Sequence, residues 1–370
     1  MRVLPFLLSQ YTNIGGQAVI EGVMMRSPNA FVVAVRTPDG KIRIRRDQWF
    51  GLSKKLDFLK FPFLRGVLML IETMANGVVS LNYSANVAMD EEMKERAVKK
   101  GQSLEEYEAE KKKKEKVNFS IFLTVFTSIV FGVALFVFLP HALALTIEKF
   151  LGADWGLDSF YFHLLDGTIK AFIFVMYVWL IGFWPDIRRV FQYHGAEHKS
   201  ISTFESKEDL VVENAKKFTT LHPRCGTSFT FFLIFISIIL FSVIFVFVPV
   251  GENLPFILKH IAAVLFKILL MFPIAGISYE IIKWAGKNQG SPLCRAVSLP
   301  GMALQKLTTR EPDDSQLEVA LASIKTVLDL EERFDLKSQE KKILSASEID
   351  IEGLGEIRQS SQKLEDFLEN

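Results

Sequence analysis

The chain is 370 residues long, with 43 Lys and Arg against 42 Asp and Glu for a formal net charge of +1, and it is 49% hydrophobic with 33 Phe. This balance gives no electrostatic footprint for nucleic acid, and the apolar residues, gathered in blocks between Val117 and Ile282, exclude an ordinary soluble fold. Two cysteines, Cys225 and Cys294, are too few for a disulfide framework.

Met1 to Gln10 has one Arg and a short apolar stretch broken by Pro5, without a small-residue cleavage site, so it fails as a secretory signal and should stay in the cytoplasm. Within residues 1–60, short strands are predicted over Gln17 to Val23, Ala30 to Arg36 and Lys41 to Arg45, the last two joined by a Pro38-Asp39-Gly40 turn. Such a β unit is too small to bury a good core alone and should dock on something larger. Over residues 61–89, Arg65, Glu72, Asn76 and Ser80 recur at helical spacing on an otherwise apolar segment. That predicts an amphipathic or re-entrant helix lying in the membrane interface or turning its polar stripe to a site. Residues 90–116 are Lys- and Glu-rich and read as a solvated helix or linker.

Within 117–284, four transmembrane spans are predicted: Phe119 to Leu139, Thr168 to Trp184, Gly226 to Val248 and Phe256 to Ser278. Each is near the ~20 residues that cross a bilayer core. The connection His141 to Gly167 has only Lys149 and Pro249 to Pro255 has no basic residue, whereas the 185–225 loop carries Arg188, Arg189, Lys199, Lys207, Lys216, Lys217 and Arg224. The positive-inside rule then places both termini and this loop in the cytoplasm. Over 285–370, Gly286, Gly290, Pro292, Pro300 and Gly301 suggest an extended loop. Leu317, Ala320, Leu321, Ile324, Val327, Leu328 and Leu330 then give helical periodicity, and the tail from Glu311 to Asn370 is acidic. Such a tail is either solubilising or a contact for a cytoplasmic protein partner. The fold class expected is therefore a polytopic α-helical membrane protein of about four spans, which can also oligomerise.

The sharpest chemical signal is His194-Gly195-Ala196-Glu197-His198. On a helix, residues four apart lie one above the other, so both imidazoles can reach one divalent metal, zinc or iron, while Glu197 can reach a water held there. This is the order of the inverted zincins. A third ligand is needed, and the sequence offers Glu280, His222 or Cys225 without choosing among them. Around Cys225, Arg224 with Thr227 and Ser228 stands at the start of a span, where free backbone N–H groups attract anions. Lys267 falls mid-span, where a charge needs a partner or water, with His260 on a similar face. His141 and His163 read as interfacial residues. Glu21 and Glu72 stand in mostly apolar surroundings as a base, a ligand or a partner of Arg26 or Arg65.

Four stretches carry a family resemblance: Gly15-Gly16-Gln17-Ala18-Val19-Ile20-Glu21-Gly22-Val23-Met24-Met25-Arg26, Tyr193 to Lys199, His222 to Phe229, and Leu307-Thr308-Thr309-Arg310-Glu311-Pro312. They resemble the signature blocks of the YqhQ-like family of bacterial membrane proteins, a domain of unknown function predicted to comprise metal-dependent enzymes. The resemblance implies a bacterial inner-membrane location and a metal site on the His194 and His198 block, with no established substrate. In the hydrolase that this suggests, Glu197 activates water and Arg224 or Arg26 orients an anionic group of a lipid or protein substrate. The alternatives are a transport protein, with Lys267, Glu72 and Glu280 along a path, and a non-catalytic membrane scaffold.

Overall fold

The computed structural model describes residues 14–48, 61, 64–99, 119–248, 250–288, 291–336 and 347–357. The expectations for Met1 to Gln10, for most of the 90–116 linker and for the last residues of the tail lie outside them.

Five antiparallel strands pair in chain order: β1 (Gly15–Val19), β2 (Gly22–Arg26), β3 (Ala30–Arg36), β4 (Ile42–Gln48) and β5 (Ser347–Ile351). The predicted single strand Gln17 to Val23 is instead a hairpin. Ile20 and Glu21 form its turn, with Glu21 at φ 52, and no Gly or Asn marks the spot. Gly22 follows because a side chain there would run into the Ala34 backbone. The Pro38-Asp39-Gly40 turn is as read, with Gly40 at φ 89. The fifth strand comes from the tail: Ile42 pairs Ile351 and Arg46 pairs Ser347, which covers the β4 edge.

The helices are α1 (Leu64–Lys99), α2 (Phe119–Val133), a π-helical turn (Ala134–Phe138) leading into α3 (Leu139–Phe150), α4 (Phe160–Ile181), α5 (Pro185–Glu205), a short α6 (Val212–Ala215), α7 (Gly226–Phe247), α8 (Phe256–Lys287), α9 (Pro292–Thr308) and α10 (Asp314–Leu336). Among the described residues, five segments are long and apolar enough to cross a membrane: Leu64–Met89, Phe126–Phe150, Phe160–Ile181, Gly226–Phe247 and Phe256–Ala285. Four spans were expected, and the fifth candidate is the polar-striped helix α1. The predicted end at Leu139 falls inside a continuous helix, because the π turn just before Pro140 absorbs the backbone donor that proline lacks. The predicted start at Thr168 is late by two turns, because His163 and Asp166, which looked like loop residues, are buried in the bundle.

The sheet is buried on both faces, which explains the unbroken apolar run of β3. Val23, Met25, Val32, Ala34, Ile42 and Ile44 pack with Tyr193, Ala196 and Ile201 of α5 and with Leu317, Leu321, Ile324 and Leu328 of α10. Val19, Met24, Phe31, Val33 and Val35 face Tyr83 and Val87 of α1. The expected extended loop after Ile282 is largely helix α9: Pro292 occupies its first turn, and Gly301 lets it approach α7, since a Cβ there would lie 2.7 Å from the Ser228 side chain. In this way α5, the start of α7 and the end of α9 meet.

Candidate metal centre

Helix α5 begins at Pro185, just after the candidate span Phe160–Ile181, and it contains the whole His194 to His198 block. The two imidazoles lie one turn apart in an edge-to-face arrangement, with ring centroids 4.4 Å from each other and planes inclined by 64°. Each is oriented through Nδ1 by a backbone carbonyl: His194 by Thr308 O at 2.9 Å and His198 by Thr220 O at 2.5 Å. A carbonyl only accepts, so both Nδ1 atoms carry the proton and both Nε2 atoms present a lone pair. This is the arrangement that metal-binding histidines use.

Between those lone pairs sits Cys225, the N-cap of α7. Its Sγ is 3.2 Å from His194 Nε2 and accepts the Thr227 N–H at 3.4 Å. His194, His198 and Cys225 offer ligand atoms that all lie within 4.8 Å of one another. His198 Nε2 is buried and has no hydrogen-bond partner among the described residues. A buried lone pair left bare is costly in a folded chain, and a thiolate and two neutral imidazoles are a donor set that suits zinc or iron. The residues present therefore fit a divalent metal. Burial helps as well: it pushes the His198 imidazole below its ordinary pKa, so His198 is neutral and ready to ligate.

The other predicted residues fall elsewhere. His222 is next to the cluster, its ring 5.7 Å from that of His198, but its Nε2 faces Glu205 Oε2 at 3.4 Å. Its backbone N–H and carbonyl are clamped by the Gln305 amide, each at 2.8 Å. Arg224 pairs with the same Glu205. Glu280 is engaged by Arg65 of α1 and does not join the histidines. Arg26 is half-buried near Met69, whose Sδ it meets at 3.0 Å, with Glu72 within electrostatic reach, so it also lies outside the cluster. Glu21 pairs with Arg189 of α5.

Glu197 points to the sheet side of α5, where its carboxylate accepts the Gly16 backbone N–H; a Cβ on Gly16 would lie 2.8 Å from Glu197 Oε1. Burial holds its pKa above the ordinary glutamate value, opposed by His194 and His222. The cluster thus has, one residue from a ligand, a buried carboxyl that retains a proton more readily than a free one. The orienting groups were not visible in the sequence. Thr220 and Thr308 act through carbonyls, and Gln305 gave no spacing signal. Cys225 is adjacent to Gly226, the first residue of a candidate span, so the cluster sits at one end of the helix bundle.

Comparison with known proteins bears on the same stretch. A family described as "Protein of unknown function (DUF1385)" matches over residues 61–330. The uncharacterized protein YqhQ of Bacillus subtilis (strain 168) is 33% identical over 324 residues, which covers 86% of this chain and 92% of the relative. No solved structure matches the chain.

Proposed function

The chain belongs to the DUF1385 family, and from that premise we propose that it is a membrane-embedded metal-dependent enzyme, a hydrolase acting on a membrane-associated lipid or protein substrate. In this reading it lies in the bacterial inner membrane with both termini and the His194 cluster on the cytoplasmic side, as the Lys and Arg distribution favours. The single observation that carries the proposal is the convergence of His194 Nε2, the bare His198 Nε2 and Cys225 Sγ. A bound divalent cation would supply Lewis acidity for a carbonyl or phosphoryl oxygen and would acidify water.

The chain's own residues do the rest. Thr308 and Thr220 fix the imidazole tautomers, and Gln305 holds the loop that delivers Cys225. Glu197, buried beside His198, is the group to take and return a proton. The position at the end of a span favours a substrate that reaches the site from the bilayer surface. A second reading, ion handling, rests on the buried Asp166–Lys267 pair within the bundle.

Elemental analysis of the purified full chain tests the proposal. About one zinc or iron per chain is expected, and it should be absent from a His194→Ala, His198→Ala double variant. No metal in either protein, even after reconstitution, would overturn it.

A further inference from the structure

The bundle holds a second polar cluster, at the end away from His194, His198 and Cys225. Helix α7 runs from the Cys225 end to Phe247 and α8 returns from Phe256, so the 151–159 connection and the α7–α8 connection share the opposite end. Helices α3, α4 and α8 contribute its polar side chains. Lys267 of α8 forms a buried ion pair with Asp166 of α4, and its ammonium is ringed by Phe162, Phe241 and Phe245, whose centroids lie 5.9, 5.8 and 5.7 Å away. His141 Nε2 of α3 is 2.9 Å from His260 Nδ1 of α8. His163 Nε2 of α4 donates to Leu157 O at 2.7 Å. His141 and His163 are therefore packed inside the bundle and are not surface residues of the interface.

After these bonds, Asp166 Oδ1, His141 Nδ1 and His163 Nδ1 are buried and have no hydrogen-bond partner among the described residues. Three bare polar atoms in one neighbourhood are what ordered water satisfies, and ionisable groups at such depth mark pathways. Lys170 of α4, Glu148 of α3 and Lys259 of α8 are within electrostatic reach of the cluster. Helix α7 faces it with Phe241 and Phe245 and contributes no titratable side chain.

We propose that this cluster is a hydrated proton-binding site, open to the face opposite the candidate metal centre. In it the His260–His141 pair carries protons to and from Asp166, and Lys267 supplies the fixed counter-charge. His260 takes a proton from solvent at Nε2 and passes the one on Nδ1 to His141 Nε2. His141 releases its own Nδ1 proton through water to Asp166 Oδ1. Both imidazoles end neutral in the other tautomer, and one proton has moved from solvent to the carboxylate. The bare atoms, His141 Nδ1 and Asp166 Oδ1, are the ones this transfer uses. The site works independently of any metal at the His194 cluster.

Infrared difference spectroscopy on the full chain in lipid nanodiscs tests this. A protonated-carboxyl band is expected to grow as pH falls, to shift in heavy water and to be missing in Asp166→Asn. In His260→Ala and in His141→Phe the band should form about tenfold more slowly after a pH jump. If Asp166→Asn does not fold, the charge-neutral double variant Asp166→Asn, Lys267→Met takes its place with the same expected loss. A spectrum with no Asp166-dependent band across the folded pH range would make the pair a permanent structural bridge. A band with unchanged kinetics in both histidine variants would remove the histidines from the route. Either result overturns the proposal.

Discussion

The Sγ of Cys225 lies 3.2 Å from His194 Nε2 across 31 positions of chain, because the loop before α7 is clamped to α9 by Gln305. Direct ligands and their support should therefore separate in a metal titration. Cys225→Ala and His198→Ala should each weaken zinc binding on the order of 100-fold, and Gln305→Leu by about tenfold, since it only loosens the loop. Glu280→Gln should leave affinity unchanged, because its carboxylate is engaged by Arg65. Competition with a chromophoric chelator measures all four. Equal losses in Cys225→Ala and Glu280→Gln would contradict the ligand assignment.

The pH dependence of stability has two arms. Burial raises the folded pKa of Glu197 above its ordinary value of 4.5, so its contribution is fully present below that pH and is lost as pH rises through the folded value. His198 and His222 have folded values below 6.5; the unfolded chain binds more protons there, so stability falls as pH drops below 6.5 toward the folded values. In chelator-treated protein, Glu197→Gln should match or exceed the wild-type melting temperature near neutral pH while retaining the acid-side loss. Thermal unfolding across both arms checks this. A variant that melts well below wild type at neutral pH would show that the Glu197 carboxylate is stabilising as an anion.

At the β2–β3 turn, the buried carboxylate of Glu331 accepts Ser27 Oγ at 2.6 Å, Asn29 N at 2.9 Å and Asn29 Nδ2 at 2.7 Å. Removing it leaves donors in the β2–β3 turn without their acceptor. Glu331→Ala should cost about 3 kcal/mol or more in unfolding free energy, whereas Asp350→Ala, which breaks the exposed pair with Arg43, should cost less than about 1 kcal/mol. Denaturant titration of the two variants side by side decides whether the buried carboxylate outweighs the surface pair.

What the sequence disclosed follows from how local each feature is. Helix α7 was legible to within a residue of its ends because nothing in Gly226 to Phe247 is charged. The His194 and His198 pair was legible because its geometry lies within one turn of helix. The β1–β2 turn at Ile20 and Glu21 was not, since it lacks turn residues, and β5 was hidden because its partner lies about 300 positions away. His163 and Asp166 disguised the start of α4, because polarity inside a bundle is read as a loop until its partner on α8 is known. The orienting carbonyls of Thr220 and Thr308 have no signature of their own, as any residue supplies one.

Helix α5 packs tightly at Gly195, between the two histidines, where an added Cβ would run into the backbone carbonyl of Arg310 and press on Thr220. The segment it would displace is also tied to α5 by the Arg310 N–H donating to Phe191 O at 2.9 Å. Backbone cannot rotate aside as a side chain can, so Gly195→Ala must push α5 away from the end of α9 carrying Thr308 and from the loop carrying Thr220. Both imidazoles would then lose the acceptors that fix their tautomers. The variant should lose about 2 kcal/mol or more of stability and bind zinc at least about tenfold more weakly, although no ligand has been changed. Gly40→Ala is the control, since Gly40 has open space around it but a left-handed backbone; it should cost about 1 kcal/mol and leave zinc affinity intact. Unchanged zinc affinity in Gly195→Ala would mean that the carbonyl contacts do not position the histidines.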